Sequence, residues 1–315
     1  MTILGMGTGR SMKQDRKWVY YLGLALVAAV WGANFGVSRK GMETFDPVLF
    51  SFLRFSLAVP FFFLILKLKE GKVGISLKMV PRFMIIGLVG LTALEIIVMY
   101  SIKYTTLANS SLLNVAPWPI FAALFGPFFL RERITSRLVA GGIAAMIGVC
   151  FIILGGSEGF DLSSDNMLGN LLAFAVSIIG SLFNLACMPL MKQCSPLYLS
   201  TWYTTFGVVF MFPFTIPSWG KVDWSALGGS EYSAVLFNVF LCTVIGFIVW
   251  NEGMLRIGAT RANFFRYLVP AFAVAAGYLF FDESFSGWQL AGGIFMVAGL
   301  IWISLERGEP AAVNV

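Results

Sequence analysis

Residues 132–148 read ERITSRLVAGGIAAMIG, and residues 283–299 read ESFSGWQLAGGIFMVAG. They belong to a longer match in which residues 104–154 return without a gap at residues 255–305, a shift of 151 positions. Pro119 falls on Pro270, Glu132 on Glu283, Gly141-Gly142 on Gly292-Gly293 and Gly148 on Gly299. The chain is therefore two copies of one apolar unit. Two membrane-embedded halves of this kind carry a site at their interface and rock about it, so the repeat points to transport before any motif does.

Composition names the solvent. Hydrophobic residues make up 58% and charged residues 12% of the chain, and the mean hydropathy is +0.83, far from the average of a water-soluble protein. Ten apolar stretches follow one another, at roughly 18–38, 47–66, 80–101, 105–130, 137–155, 167–190, 196–217, 233–255, 260–281 and 287–305. Each approaches the about 20 residues that cross a bilayer core as helix. The expected fold is an all-α integral membrane protein of ten transmembrane helices, built as two inverted five-helix repeats. Residues 1–17 form a cytoplasmic N-terminal tail, 18–155 the first repeat, 156–166 a connecting loop, 167–305 the second repeat and 306–315 a cytoplasmic C-terminal tail.

Lys and Arg placement sets the orientation, because these residues stay on the cytoplasmic side. With the N-terminus inside, 16 of the 22 basic residues fall on cytoplasmic segments. Only Arg39, Lys40, Lys103 and Lys221 fall on the other side, and Arg54 and Arg266 lie within spans. Both termini are then cytoplasmic, in a multi-pass protein of the cytoplasmic (inner) membrane. Five spans per half invert the second half relative to the first. The net charge of +6 reflects this topology, and nucleic acid is not an expected partner. The first span is too long for a signal-peptide core, and its removal would unbalance the halves.

Several absences narrow the chemistry. Cys150, Cys187, Cys194 and Cys242 are scattered without CxxC spacing, so neither a zinc site nor a disulfide framework is indicated. The chain has no histidine, which removes His-based acid–base catalysis and the HExxH metalloprotease pattern. It also lacks the GxxxxGK[ST] phosphate loop, and with it P-loop ATP hydrolysis. The expectation is a protein that is not an enzyme and takes no cofactor, with any energy drawn from a gradient.

Trp31-Gly32-Ala33-Asn34-Phe35 lies in the first span. Each half then has a proline in its fourth span, a Glu at that span's end and a following span rich in small residues. In the second half these are Pro270, Phe281-Asp282-Glu283 and Leu290-Ala291-Gly292-Gly293; the first half carries an extra proline in Asn114-Val115-Ala116-Pro117-Trp118-Pro119. This order resembles the EamA family of the drug/metabolite transporter superfamily over about residues 20–305. The resemblance implies a ten-helix carrier with inverted repeats, exporting amino acids and other small metabolites. Among characterised members the first comparison is with YddG-type aromatic amino-acid exporters. It also implies that spans 1, 3, 4, 6, 8 and 9 line a central cavity while spans 5 and 10 pack at the periphery.

Polar and aromatic side chains on those spans are the candidate substrate contacts. Trp31, Asn34, Tyr100, Asn114, Trp118, Asn184, Trp250, Asn263 and Tyr267 all qualify, since polar groups are costly in lipid and face the interior. Helix-to-helix hydrogen bonding and plain packing stay open for each. The ionisable residues within spans are sharper. Glu95 lies about seven residues from the outer end of span 3, and Arg266 about six from the cytoplasmic end of span 9. Together they could receive the amine and carboxylate of a zwitterion. Arg54, about seven residues from the outer end of span 2, is close enough to snorkel. Pro119 and Pro270 are candidate hinges. Glu132 and Glu283, equivalent under the repeat and so at opposite faces, read as gate-stabilising. Residues that break the symmetry, among them Glu95, Trp118, Trp250, Asn263 and Arg266, are the better choices for recognition.

The expected function is secondary export of a small organic metabolite by alternating access. The expected partners are that substrate, the lipid bilayer and coupling protons, with oligomeric state left open. Competing readings are a carrier or exchanger for organic cations or nucleotide sugars, and a non-transporting membrane subunit.

Overall fold

The computed structural model describes residues 17–104, 113–115, 117–130, 135–154, 167–272, 275 and 286–304. Among these residues the regular structure is all helical. The elements are α1 (Lys17–Met42), α2 (Pro47–Glu70), α3 (Val80–Gly87), α4 (Leu94–Tyr104), α5 (Pro117–Leu130), α6 (Ser136–Leu154), α7 (Met167–Met191), α8 (Pro196–Thr215), α9 (Gly229–Phe237), α10 (Gly246–Ile257), α11 (Ala259–Phe264) and α12 (Gly287–Ser304). A π-helical stretch, Leu88–Ala93, joins α3 to α4, and another, Asn238–Ile245, joins α9 to α10. A 3₁₀ turn, Phe265–Tyr267, follows α11 and leads into helical residues 268–272.

Six helices are long and apolar enough to cross a membrane, within 18–42, 47–70, 80–101, 167–191, 196–221 and 229–257. Shorter apolar helices cover parts of the remaining apolar stretches. Large apolar side chains such as Leu64, Ile85, Val139, Ile143, Ile147, Ile294 and Ile301 point outward. That surface suits hydrocarbon, not water.

Helix starts follow local chemistry. Asp46 accepts hydrogen bonds from the Val48 and Leu49 amides at 3.0 and 3.4 Å ahead of Pro47. Ser195 accepts from the Tyr198 amide at 3.0 Å ahead of Pro196. Both use a capping side chain to take up an amide that the first turn leaves without a partner, and a proline whose missing N–H costs nothing there. Gly258, at φ 93°, makes the one-residue break between α10 and α11.

The duplication reaches beyond the segment legible in sequence. The two π-helical stretches lie close to 151 residues apart, and that same shift carries Thr92 onto Thr243, both buried. The Thr92 hydroxyl donates to the Gly207 carbonyl at 2.7 Å and to the Gly87 carbonyl at 3.3 Å. Packing repeats in the same way: α4 lies against α7, and their counterparts α10 and α1 lie against each other.

The contact between α6 and α12 has an internal symmetry. A Cβ placed on Gly141 would meet the Gly299 carbonyl at 2.7 Å, and one placed on Gly148 would overlap the Gly292 carbonyl. As α6 advances from 141 to 148 its partner recedes from 299 to 292, so the two helices run antiparallel. These four glycines are two repeat pairs, exchanged across the contact. Only hydrogen side chains permit so close a backbone approach.

Gly148→Ala is expected to lower the stability of the detergent-solubilised protein by about 1–3 kcal/mol through overpacking. Gly293→Ala, whose Cβ meets nothing within 4 Å, should leave stability unchanged or raise it by up to about 1 kcal/mol. Equal melting temperatures for the two variants would contradict this account of the crossing.

Candidate functional site

Three tryptophans converge on one arginine. The Arg266 guanidinium carbon lies 3.5 Å from the centre of the Trp118 ring, 5.5 Å from that of Trp31 and 5.9 Å from that of Trp250. Trp31 and Trp250 also touch each other, with ring centres 4.9 Å apart. A 3.5 Å separation fits only a guanidinium lying face-on to the Trp118 ring, the arrangement in which cation–π attraction and stacking coincide. Trp31 and Trp118 come from the first half, Trp250 and Arg266 from the second. The Arg266 Nε is buried without a hydrogen-bond partner.

Backbone irregularities aim these side chains. Arg266 sits in the 3₁₀ turn between α11 and residues 268–272. Pro270, four residues on, supplies no N–H to the carbonyl of residue 266 and crowds it, a local reason for the tightened turn. The Trp31 indole N–H donates at 3.0 Å to the carbonyl of Cys242, which lies in the second π-helical stretch. A π turn leaves backbone groups out of the regular ladder, and this one receives a side chain from another helix. The Trp118 ring packs against α7 where residue 180 is glycine, since a Cβ there would overlap the ring.

A second tier of polar bonds locks the cluster. The Asn263 side-chain oxygen accepts from the Trp118 indole N–H at 2.9 Å and from the Asn184 amide at 2.6 Å, while its own amide donates to the Ala259 carbonyl at 2.8 Å. Asn263, Asn184 and Trp118 are all buried. One asparagine thus ties α5, α7 and α11 together.

Six sequence candidates therefore meet: Trp31, Trp118, Asn184, Trp250, Asn263 and Arg266. The others fall elsewhere or are engaged differently. Tyr100 is 42% exposed and stacks on Tyr104 at 5.9 Å. Tyr267 is fully buried and packs edge-on against Phe264 at 5.8 Å. Asn34 accepts from the Ser38 hydroxyl one turn on at 3.1 Å. The Asn114 side-chain oxygen is buried without a partner. Pro119 stands in the first turn of α5, with Pro127 the proline inside that helix. Glu132 and Glu283 lie outside the described residues.

Glu95 has its own cation. Its carboxylate accepts from Arg54 at 2.6 Å and stands 3.5 Å from the Ser51 hydroxyl, while Arg54 also reaches the Asn238 side-chain oxygen at 3.4 Å and lies over the Phe55 ring. Glu95 and Arg266 are not an ion pair. The signal for the Arg54–Glu95 pair was present in the sequence: opposite charges about equally deep in adjacent spans find each other in a low-dielectric interior. The role of Asn238 had no such signal, because it depends on how the second half seats against α2. A separate cleft of about 420 Å³ between α3 and α7 is lined by Arg82, Ile85, Ile86, Ala186, Pro189, Leu190 and Gln193. It shares no residue with the tryptophan cluster.

Fold and site together define a helical membrane protein in which two like halves enclose a polar and aromatic centre. The description EamA-like transporter family matches residues 18–154 and again 167–305, and the chain belongs to that family. It is 27% identical to an uncharacterized transporter, YetK, of Bacillus subtilis (strain 168), over 93% of this chain and 88% of that protein. A probable amino-acid metabolite efflux pump of Escherichia coli (strain K12) is 26% identical, over 87% of this chain and 91% of that protein. A probable terminal-alkyne amino-acid exporter of Streptantibioticus cattleyicolor is 24% identical, over 89% and 92%. One solved crystal structure superposes with a TM-score of 0.74 at 18% identity, covering 90% of this chain and 95% of that one. That likeness bears on the fold alone. The family and its relatives are transporters and efflux pumps, not enzymes.

Glu95→Gln and Arg54→Gln are each expected to cost about 1–3 kcal/mol, because each strands the other's hydrogen-bonding group. The double variant should recover part of that loss, and thermal melts of all four proteins read the coupling directly. Asn263→Ala should be costlier than Asn184→Ala, by about 1–2 kcal/mol, since it leaves the buried Trp118 and Asn184 donors unpaired, whereas after Asn184→Ala the Asn263 oxygen still accepts from Trp118.

Proposed function

We propose that this chain is a secondary transporter that exports a small organic metabolite across the cytoplasmic membrane by alternating access. The substrate class is amino acids, the aromatic ones above all, and related amphipathic compounds. The frame is ten spans in two inverted five-helix repeats, residues 18–155 and 167–305, joined by 156–166. Both tails, 1–17 and 306–315, are cytoplasmic. The antiparallel α6–α12 crossing through repeat-equivalent glycines supports inversion, and the paired π-helical stretches support the duplication. Named exporters among the relatives support the direction and the amino-acid class.

The observation that carries the reading is the origin of the central cluster. Trp31 and Trp118 belong to one half, and Asn184, Trp250, Asn263 and Arg266 to the other. A binding site built across two halves is exposed to alternate sides when one half rocks against the other. Pro119 and Pro270 are the proposed hinges, and the irregular helix at Phe265–Tyr267 gives the second hinge a local basis. Glu132 and Glu283 are proposed as gate residues. Asn34, Tyr100, Asn114 and Tyr267 are held as further substrate positions and Glu95 as a coupling position, with protons as the coupling ion.

Purified protein in liposomes, offered aromatic amino acids with and without a pH gradient, should give saturable flux absent from empty liposomes. Trp118→Ala should cut that flux about fivefold to thirtyfold with unchanged protein content, as expected for loss of a stacking contact of about 1–2 kcal/mol. Absence of flux for amino acids, organic cations and nucleotide sugars alike would favour the subunit reading.

A further inference from the structure

We infer that the substrate is held by its carboxylate on Arg266 and that its amine is not read by a fixed anion, so the site takes aromatic or apolar carboxylates whether or not they carry an amino group. The inference deepens the transport reading above and rests on it.

The first premise is an uncompensated charge. A guanidinium stays protonated in a protein, and burying it away from water without a counter-ion is costly. Arg54, the other arginine within the apolar spans, has Glu95. Arg266 has three aromatic faces, which attract a cation but neutralise nothing. Its Nε is buried without a partner.

The second premise is that the described carboxylates are engaged elsewhere. Glu43 pairs with Lys40 and Glu252 with Arg256. Asp46 caps α2, Glu70 accepts from Ser195, Asp223 from Ser225 and Glu231 from the Gly228 amide. Glu95 belongs to Arg54. Among the described residues, no carboxylate is left over to balance Arg266 or to receive a substrate ammonium.

The third premise is geometric. With its face on Trp118, the guanidinium directs its N–H edge away from that ring, and an edge-on fork matches the two oxygens of a carboxylate. The Trp250 indole N–H is also buried without a partner, and Trp250 lies in the same cluster. A carboxylate there would supply the missing negative charge and acceptors for the Arg266 fork, beside aromatic faces suited to an apolar or aromatic body. An organic cation meets the opposite situation. The aromatic cage that would attract it is already filled by the protein's own cation, and the like charge repels it.

The test uses three indole compounds that differ at one group each: tryptophan, indole-3-propionate, which lacks the amine, and tryptamine, which lacks the carboxylate. Each is offered to liposomes containing the full chain, as wild type, Arg266→Lys and Arg266→Gln. Wild type should move tryptophan and indole-3-propionate at rates within about threefold of each other, and tryptamine at least about tenfold more slowly, a factor set by loss of one charge-assisted pair. Arg266→Gln should bring the two carboxylates down to the tryptamine rate, and Arg266→Lys should fall between, keeping charge but losing the fork. Tryptamine moving as fast as indole-3-propionate in wild type overturns the inference, even if no variant folds. So does Arg266→Gln protein that stays monodisperse and keeps the wild-type preference. Failure of every compound to move in wild type overturns the aromatic amino-acid reading on which the inference rests, and is thereby distinct from a failure of this assignment.

Discussion

Hydrocarbon offers no hydrogen bonds to a backbone, and each amide or carbonyl left alone in it costs several kcal/mol. This constraint explains why the described residues form helices and little else, and it also explains where side chains are spent. Each π-helical stretch takes its backbone out of the regular ladder, and each engages a side chain. At the first, the Thr92 hydroxyl bonds the Gly87 carbonyl of its own helix and the Gly207 carbonyl of α8. At the second, the Cys242 carbonyl takes the Trp31 indole N–H. Satisfying the backbone therefore places Trp31 against the second half, one wall of the central cluster. Structural bookkeeping and site geometry are the same bonds.

Charge meets the same low-dielectric interior and is handled in two ways. Arg54 and Glu95 neutralise one another between α2 and α4, with Asn238 of the second half as an additional acceptor. Arg266 is surrounded by polarisable rings instead. The first arrangement pairs its charges, and the second leaves a guanidinium among rings with no carboxylate beside it among the described residues.

The halves share their scaffold and differ in their centre. Gly141, Gly148, Gly292 and Gly299 meet across α6 and α12 as two equivalent pairs, and Thr92 and Thr243 occupy equivalent π turns. The central residues do not repeat: the 151-residue shift places Leu268 opposite Pro117, Val269 opposite Trp118 and Val115 opposite Arg266.

Much of this was legible in the sequence. Hydropathy marked the apolar stretches, the 151-residue register exposed the duplication, and the polar and aromatic residues of the presumed lining spans included all six members of the cluster. These properties are local or periodic, and the chain alone determines them. Pairing was another matter. Glu95 and Arg266 read as receptors for the two ends of a zwitterion, and the structure adds a partner for one of them, since Arg54 stands beside Glu95. Trp118, Trp31 and Trp250 read as separate substrate contacts, and in the structure they gather around Arg266. Tyr100 and Tyr267 lie on the expected spans, but one stacks on Tyr104 and the other is packed fully inside. Span membership fixes a residue's depth and not its azimuth, and azimuth follows from how helices rotate and bend against each other. The π stretches and the 3₁₀ turn reset that rotation through contacts far apart in sequence. Residue types and their depth were thus determined by the sequence itself, while which side chain faces which was decided only when the two halves closed on one another.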